Sequence, residues 1–189
     1  MRSFKKLGVL VAILALSAVG AANASAATFT ASATGSVTGK ALNTQVFTTN
    51  SGQVKCTTAE TSGSIVSTAS AEQHVTVNYK NCTAFGFASV DISPATYNFT
   101  AGGTVHLKET ITINVTLAGC HQTVPGGQTF SGITYKNNSG KLIVEANVSG
   151  IKYKGTGGFC GSTTEQSNGT YVGNNETERV GGGTISWDA

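Results

Sequence analysis

The stretch Thr110–Leu117 (TITINVTL) alternates strictly between polar and apolar residues. On an extended chain Ile111, Ile113, Val115 and Leu117 share one face, and Thr110, Thr112, Asn114 and Thr116 share the other. β-Branched side chains fit a pleated surface and threonine hydroxyls satisfy a wet one, so this stretch predicts a half-buried strand. The pattern recurs on both sides. Val75, Val77 and Tyr79 alternate with Thr76, Asn78 and Lys80, and Leu142, Val144, Ala146 and Val148 alternate with Ile143, Glu145 and Asn147. Shorter strands are expected at 28–34, 45–49, 63–68, 88–92, 96–100, 132–136, 150–154 and 183–187.

Turn chemistry separates these runs. Asn50-Ser51-Gly52, Pro125-Gly126-Gly127, Asn137-Asn138-Ser139-Gly140, Gly155-Thr156-Gly157-Gly158 and Asn168-Gly169 all tolerate positive φ. No stretch after the N-terminal segment keeps a helical period with caps. The two prolines, Pro94 and Pro125, suit edges or loops. Short strands punctuated this often predict an all-β domain: an antiparallel sandwich, or a Greek-key or jelly-roll-like barrel.

One phrase repeats: Val77-x-Tyr79-Lys80, Ile133-x-Tyr135-Lys136 and Ile151-x-Tyr153-Lys154, each followed by a turn. The spacings of 56 and 18 residues exclude a solenoid. Tyrosines in such positions pack their rings and send their hydroxyls to water. A ligand-binding aromatic row is the alternative, and a binder of glycans or small ligands would use an aromatic patch from Tyr135, Tyr153, Phe159 and Trp187.

The N-terminus predicts export. Arg2, Lys5 and Lys6 precede an apolar run from Leu7 to Val19, and Ala24-Ser25-Ala26 fits a cleavage site. The expected division is a signal peptide over 1–26, cleaved near Ala26, and one all-β domain over 27–189. The mature chain is then secreted or periplasmic, with no transmembrane segment. The signal holds three of the 12 Lys+Arg, which leaves nine basic residues against nine acidic ones. A neutral mature chain presents no field for nucleic acid.

Cys56, Cys82, Cys120 and Cys160 read as two disulfides in an exported chain. Three pairings exist. Cys56–Cys82 with Cys120–Cys160 is favoured because each closes a loop within one half of the chain. No two cysteines are close enough for a zinc half-site.

The motifs Phe47-Thr48-Thr49-Asn50-Ser51-Gly52, Val54-Lys55-Cys56-Thr57 and Cys82-Thr83-Ala84-Phe85-Gly86 carry a resemblance. So do Gly119-Cys120, Gly150-Ile151-x-Tyr153, Cys160-Gly161 and Asn168-Gly169-Thr170-Tyr171. Together they resemble a family of short, uncharacterised exported all-β proteins that some soil actinobacteria carry in many copies. The resemblance spans most of the mature chain and implies a fold without a chemistry. Members have a further cysteine pair near the positions of Ala95 and His106–Leu107. This chain lacks both, so the resemblance also supports local pairing of the remaining four.

Groups for catalysis are sparse. His74, His106 and His121 are scattered, and His106 and Glu109, three apart, face opposite ways on a strand. There is no Gly-x-Ser-x-Gly elbow and no phosphate loop. Asp91 and Asp188 are the only mature aspartates, and Glu109 and Glu145 fall on polar strand faces. The sequence therefore leans away from an enzyme, a metal site or a cofactor. Three classes remain: a non-enzymatic, envelope-associated or adhesive module; a binder of glycans or small ligands; and a secreted hydrolase or enzyme inhibitor.

Overall fold

The computed structural model describes residues 26–158, 160 and 163–189. The expected export signal, save Ala26, lies outside the described residues, as does Phe159. The strands are β1 (Thr28–Ala31), β2 (Gly35–Ala41), β3 (Gln45–Thr49), β4 (Gly52–Ile65), β5 (Ala69–Ser70), β6 (Glu72–Ala84), β7 (Ala88–Ile92) and β8 (Ala95–Thr100). They continue as β9 (Thr104–Leu107), β10 (Ile111–Val115), β11 (Cys120–Val124), β12 (Thr129–Ser131), β13 (Ile133–Asn138), β14 (Lys141–Thr156), β15 (Gln166–Arg179) and β16 (Ile185–Asp188). The fold is all-β and every strand pair is antiparallel.

The diagnostic stretch behaves as its alternation requires, up to a point. Ile111, Ile113 and Val115 are buried, but Leu117 is 73% exposed. The strand ends at Val115, and a short 3-10 turn (Thr116–Ala118) leads to Gly119 at φ 53°. Once the chain leaves the extended conformation, period two no longer predicts which side a residue faces. Four strands are much longer than expected: β4, β6, β14 and β15 have 14, 13, 16 and 14 residues. Each changes neighbours along its length.

That change of neighbours closes the sheet. The N-terminal half of β4 pairs with β3 and with the C-terminal half of β6. From β6 the hydrogen bonds pass to β7, β10, β11 and the C-terminal half of β14. They then reach β15, whose residues Thr170 to Val172 pair with β3 and complete the circuit. Eight strand segments thus form a barrel without an edge at this level. Apolar side chains point in and Thr, Asn, Lys and Glu point out. No helix among the described residues is long and apolar enough to cross a membrane.

At the other end the long strands turn to different partners. β6 pairs there with β8, which leads to β9 and β12, while β4 pairs with β2, β14 with β13, and β2 with β15. A separate sheet of β16, β1 and β5 covers this end. It buries Phe29 and Ile185, and the Phe29 ring meets Tyr135 edge-on at 5.0 Å. Trp187 anchors the cap by donating its indole N–H to the Ala101 carbonyl at 2.8 Å.

The disulfides are Cys56–Cys82 and Cys120–Cys160. The first joins directly opposed residues of β4 and β6, with Cα atoms 4.0 Å apart. The second ties the start of β11 to the segment after β14. Outside, Lys80–Glu60, Lys136–Glu145 and Lys141 with Glu176 and Glu178 pair across neighbouring strands.

Candidate functional site

Of the four aromatics expected to form one ligand surface, Tyr135, Tyr153 and Trp187 are described, and they are divided between the two ends of the barrel. Tyr153 lies at the closed end and is 2% exposed. Its hydroxyl accepts the Asn50 N–H at 2.9 Å and donates to Asn168 Oδ1 at 3.2 Å, so it ties the β3–β4 turn to β15. Tyr135 lies under the cap, buried, and donates to the Thr100 carbonyl at 2.8 Å. Burial pushes its hydroxyl above the usual tyrosine range. Trp187 is half-buried beside it, ring centres 5.8 Å apart. Packing explains the separation: large rings facing inward fill the two ends of a barrel before they line a surface.

The histidines are also apart. His106 Nδ1 faces Thr129 Oγ1 at 3.0 Å, and His121 Nδ1 faces Asn114 Oδ1 at 2.7 Å. Among the described residues no group of three His, Cys, Asp or Glu is arranged to hold a metal ion.

The structure gathers a different set inside. Between the closed ring and the cap lies a cavity of about 100 Å³, walled by residues of twelve strands. Twelve half-buried apolar side chains pack against the core, and nine of them line this cavity, including Phe47, Tyr79, Tyr97, Phe99, Phe130 and Tyr171. Their residual exposure therefore belongs to residues that face inward. A second hollow of about 40 Å³ shares Val77, Phe99, Val144 and Asn175 with the first.

One side of the cavity wall is polar. Gln45 on β3 is 1% exposed, and its Nε2 donates to the Asn43 carbonyl at 2.8 Å and to the Asn174 carbonyl at 3.3 Å. Its Oε1 accepts the Tyr171 hydroxyl. Tyr79 lies next, 3.5 Å from Tyr171, and Tyr97 follows at 3.1 Å from Tyr79. The row thus joins β3, β15, β6 and β8. Gly173 makes it possible: a Cβ there would occupy the place of the Gln45 side-chain oxygen. Burial raises the Tyr79, Tyr97 and Tyr171 hydroxyls well above their ordinary range, and their mutual repulsion as anions adds to it.

Sequence reading identified Tyr79 only as one member of a repeated phrase, and gave Tyr97 and Gln45 no role. Tyr97 and Phe99, two apart, carry a weak signal of a shared face. Nothing in the sequence marks Gln45, whose partners Tyr171 and Asn174 are 126 and 129 residues away.

Fold and interior together define the class: an antiparallel β-barrel with a small apolar cavity and an internal row of tyrosines. Compared with protein-family models, curated proteins and solved structures, the chain matches none.

Proposed function

We propose that the mature chain is an exported, non-catalytic binding module that holds a small apolar molecule inside its barrel. The observation that carries this reading is the unfilled interior with its half-accessible apolar wall. Protein cores pack as densely as organic crystals. At roughly 24 cal/mol per Å³, a cavity of about 100 Å³ costs on the order of 2 kcal/mol. A ligand that fills it recovers that stability. An eight-stranded circuit has room for side chains or for one small ligand, and here the side chains do not fill it. A cavity of this size takes an occupant of about benzene dimensions. The apolar run before Ala26 and the two disulfides support a location outside the cytoplasm.

Thermal unfolding in the presence of benzene, toluene or indole tests the proposal. The midpoint is expected to rise with ligand concentration. Ala146→Leu, which places bulk in the cavity, is expected to abolish the response. Unchanged midpoints with every compound tested overturn it.

A second reading, attachment to the cell envelope, has its own observation. The β6–β7 turn exposes Phe85 and Phe87, at 44% and 74%, and Leu117 is 73% exposed in the short turn that contacts β7. Phe85 sits at φ 55°, a left-handed conformation that costs a non-glycine residue roughly 1–2 kcal/mol. Backbone held in this region clusters at functional sites. If the tip attaches, Phe87→Ser with Leu117→Ser releases the protein from sedimented cell-wall fragments. Equal retention of variant and parent removes the reading.

A further inference from the structure

The polar row has a direction, and the direction specifies the ligand. This inference rests on the proposal that the cavity takes a small apolar molecule, and it adds the chemistry. Gln45 faces the backbone carbonyls of Asn43 and Asn174, which only accept, so its amide nitrogen must point to them. Its oxygen is thereby turned to Tyr171, and Tyr171 must donate to it. With that proton committed, Tyr171 Oη accepts from Tyr79. The Tyr79 proton is then also committed, so Tyr97 donates to Tyr79. Every hydroxyl proton in the row points toward Gln45.

Two acceptors are left over. Tyr97 Oη receives no hydrogen bond from any described residue. Asn175 Oδ1 is buried, borders both hollows and likewise has no partner among the described residues. No Lys, Arg or His lines the cavity, and no Asp or Glu does either. An anion would meet acceptors without a counter-charge, and a cation would have no carboxylate to pair with.

We infer that the barrel selects an uncharged hydroxylated hydrocarbon, an alcohol or a phenol of about benzene size, whose O–H donates to Asn175 Oδ1 or Tyr97 Oη. A pure hydrocarbon fills the same space but leaves a buried acceptor unpaired, which is the costly arrangement.

Calorimetric titration of the disulfide-bonded protein with phenol, toluene and benzoate tests the inference, because the first two match in size and differ in the donor. Phenol is expected to bind about tenfold more tightly than toluene, as one hydrogen bond allows, and benzoate more weakly than either. Asn175→Leu and Tyr97→Phe are expected to bring phenol down toward toluene while toluene holds its affinity. Toluene binding as tightly as phenol in the parent protein overturns the donor requirement and leaves the apolar-ligand proposal standing. Benzoate binding most tightly overturns the uncharged class. Binding of none of the three overturns both. The comparison in the parent protein decides these outcomes even if a variant does not fold.

Discussion

The two ends of the barrel are closed by different means. At one end the closure is backbone chemistry: an unbroken circuit of hydrogen-bonded segments, braced by both disulfides and the Tyr153 hydroxyl. At the other it is packing: Phe29, Ile185 and Trp187 of a small separate sheet set against Tyr135, with no covalent link. A hydrogen-bonded ring fixes its circumference, and the side chains inside must fit whatever space results. A packed cap adjusts until its apolar surface is buried. The cavity lies between these two solutions, where the ring is too wide for its side chains and the cap does not reach.

The comparison can be broken most directly at the cap. Phe29→Ala removes the buried ring that joins the small sheet to Tyr135. It is expected to cost about 3–5 kcal/mol in denaturant unfolding. A loss below about 1 kcal/mol would show that packing does not close this end.

Next come the disulfides, with bridged residues 26 and 40 apart. On the chain-entropy account, removing either pair as Cys→Ser costs on the order of 3.5–4 kcal/mol. Global stability is therefore expected to respond almost equally, while local opening does not. Without Cys56–Cys82 the β4–β6 ladder still runs on both sides, from Val54 opposite Ala84 to Gly63 opposite Val75. Without Cys120–Cys160, amide exchange is expected to quicken near Gly155 and Gly157, because the bridge tethers that turn to β11. Equal exchange there in both variants would contradict the distinction.

The smallest effect per residue appears with alkali. Burial raises Tyr79, Tyr97 and Tyr171 in the lumen, and also Tyr135 under the cap. The unfolded chain ionises its tyrosines near pH 10, while the fold holds these neutral. Their stabilising effect is fully present below about pH 10. Above it the unfolded state loses protons first, so stability falls by ~1.4 kcal/mol per pH unit for each tyrosine held neutral. Phenolate absorbance is expected to rise together with unfolding, and tyrosines that titrate freely in the folded protein would show an interior open to water.

Much of the fold was legible in the chain. Thr110 to Val115 alternates, and its apolar members are buried. The cysteines paired within their own halves, as loop closure suggested. The long strands β4 and β15 were not legible, because their inward positions include Ala59, Thr61, Gly63, Gly169 and Gly173 and not a run of large apolar residues. These two inward positions, Gly63 and Gly173, carry no side chain because a neighbouring backbone or side chain comes too close for a Cβ. Those neighbours, His74 and Gln45, belong to other strands, so the sequence around each glycine does not announce them.

The candidate site was legible least. Side-chain period two tells which face a residue occupies, and it placed Tyr79 on the apolar side. It does not tell which residue stands opposite across the barrel. Tyr97, Tyr79, Tyr171 and Gln45 meet over separations of 18, 92 and 126 residues. Strand order and ring closure alone bring them together. The sequence by itself determined the all-β class and the inward faces of the plainly alternating strands, and it favoured the observed cysteine pairs, because these rest on local periodicity and on loop closure within each half of the chain. Only the tertiary structure decided that the sheet closes, that it closes too wide to be filled, and that the buried Asn175 oxygen borders the apolar space without a partner among the described residues.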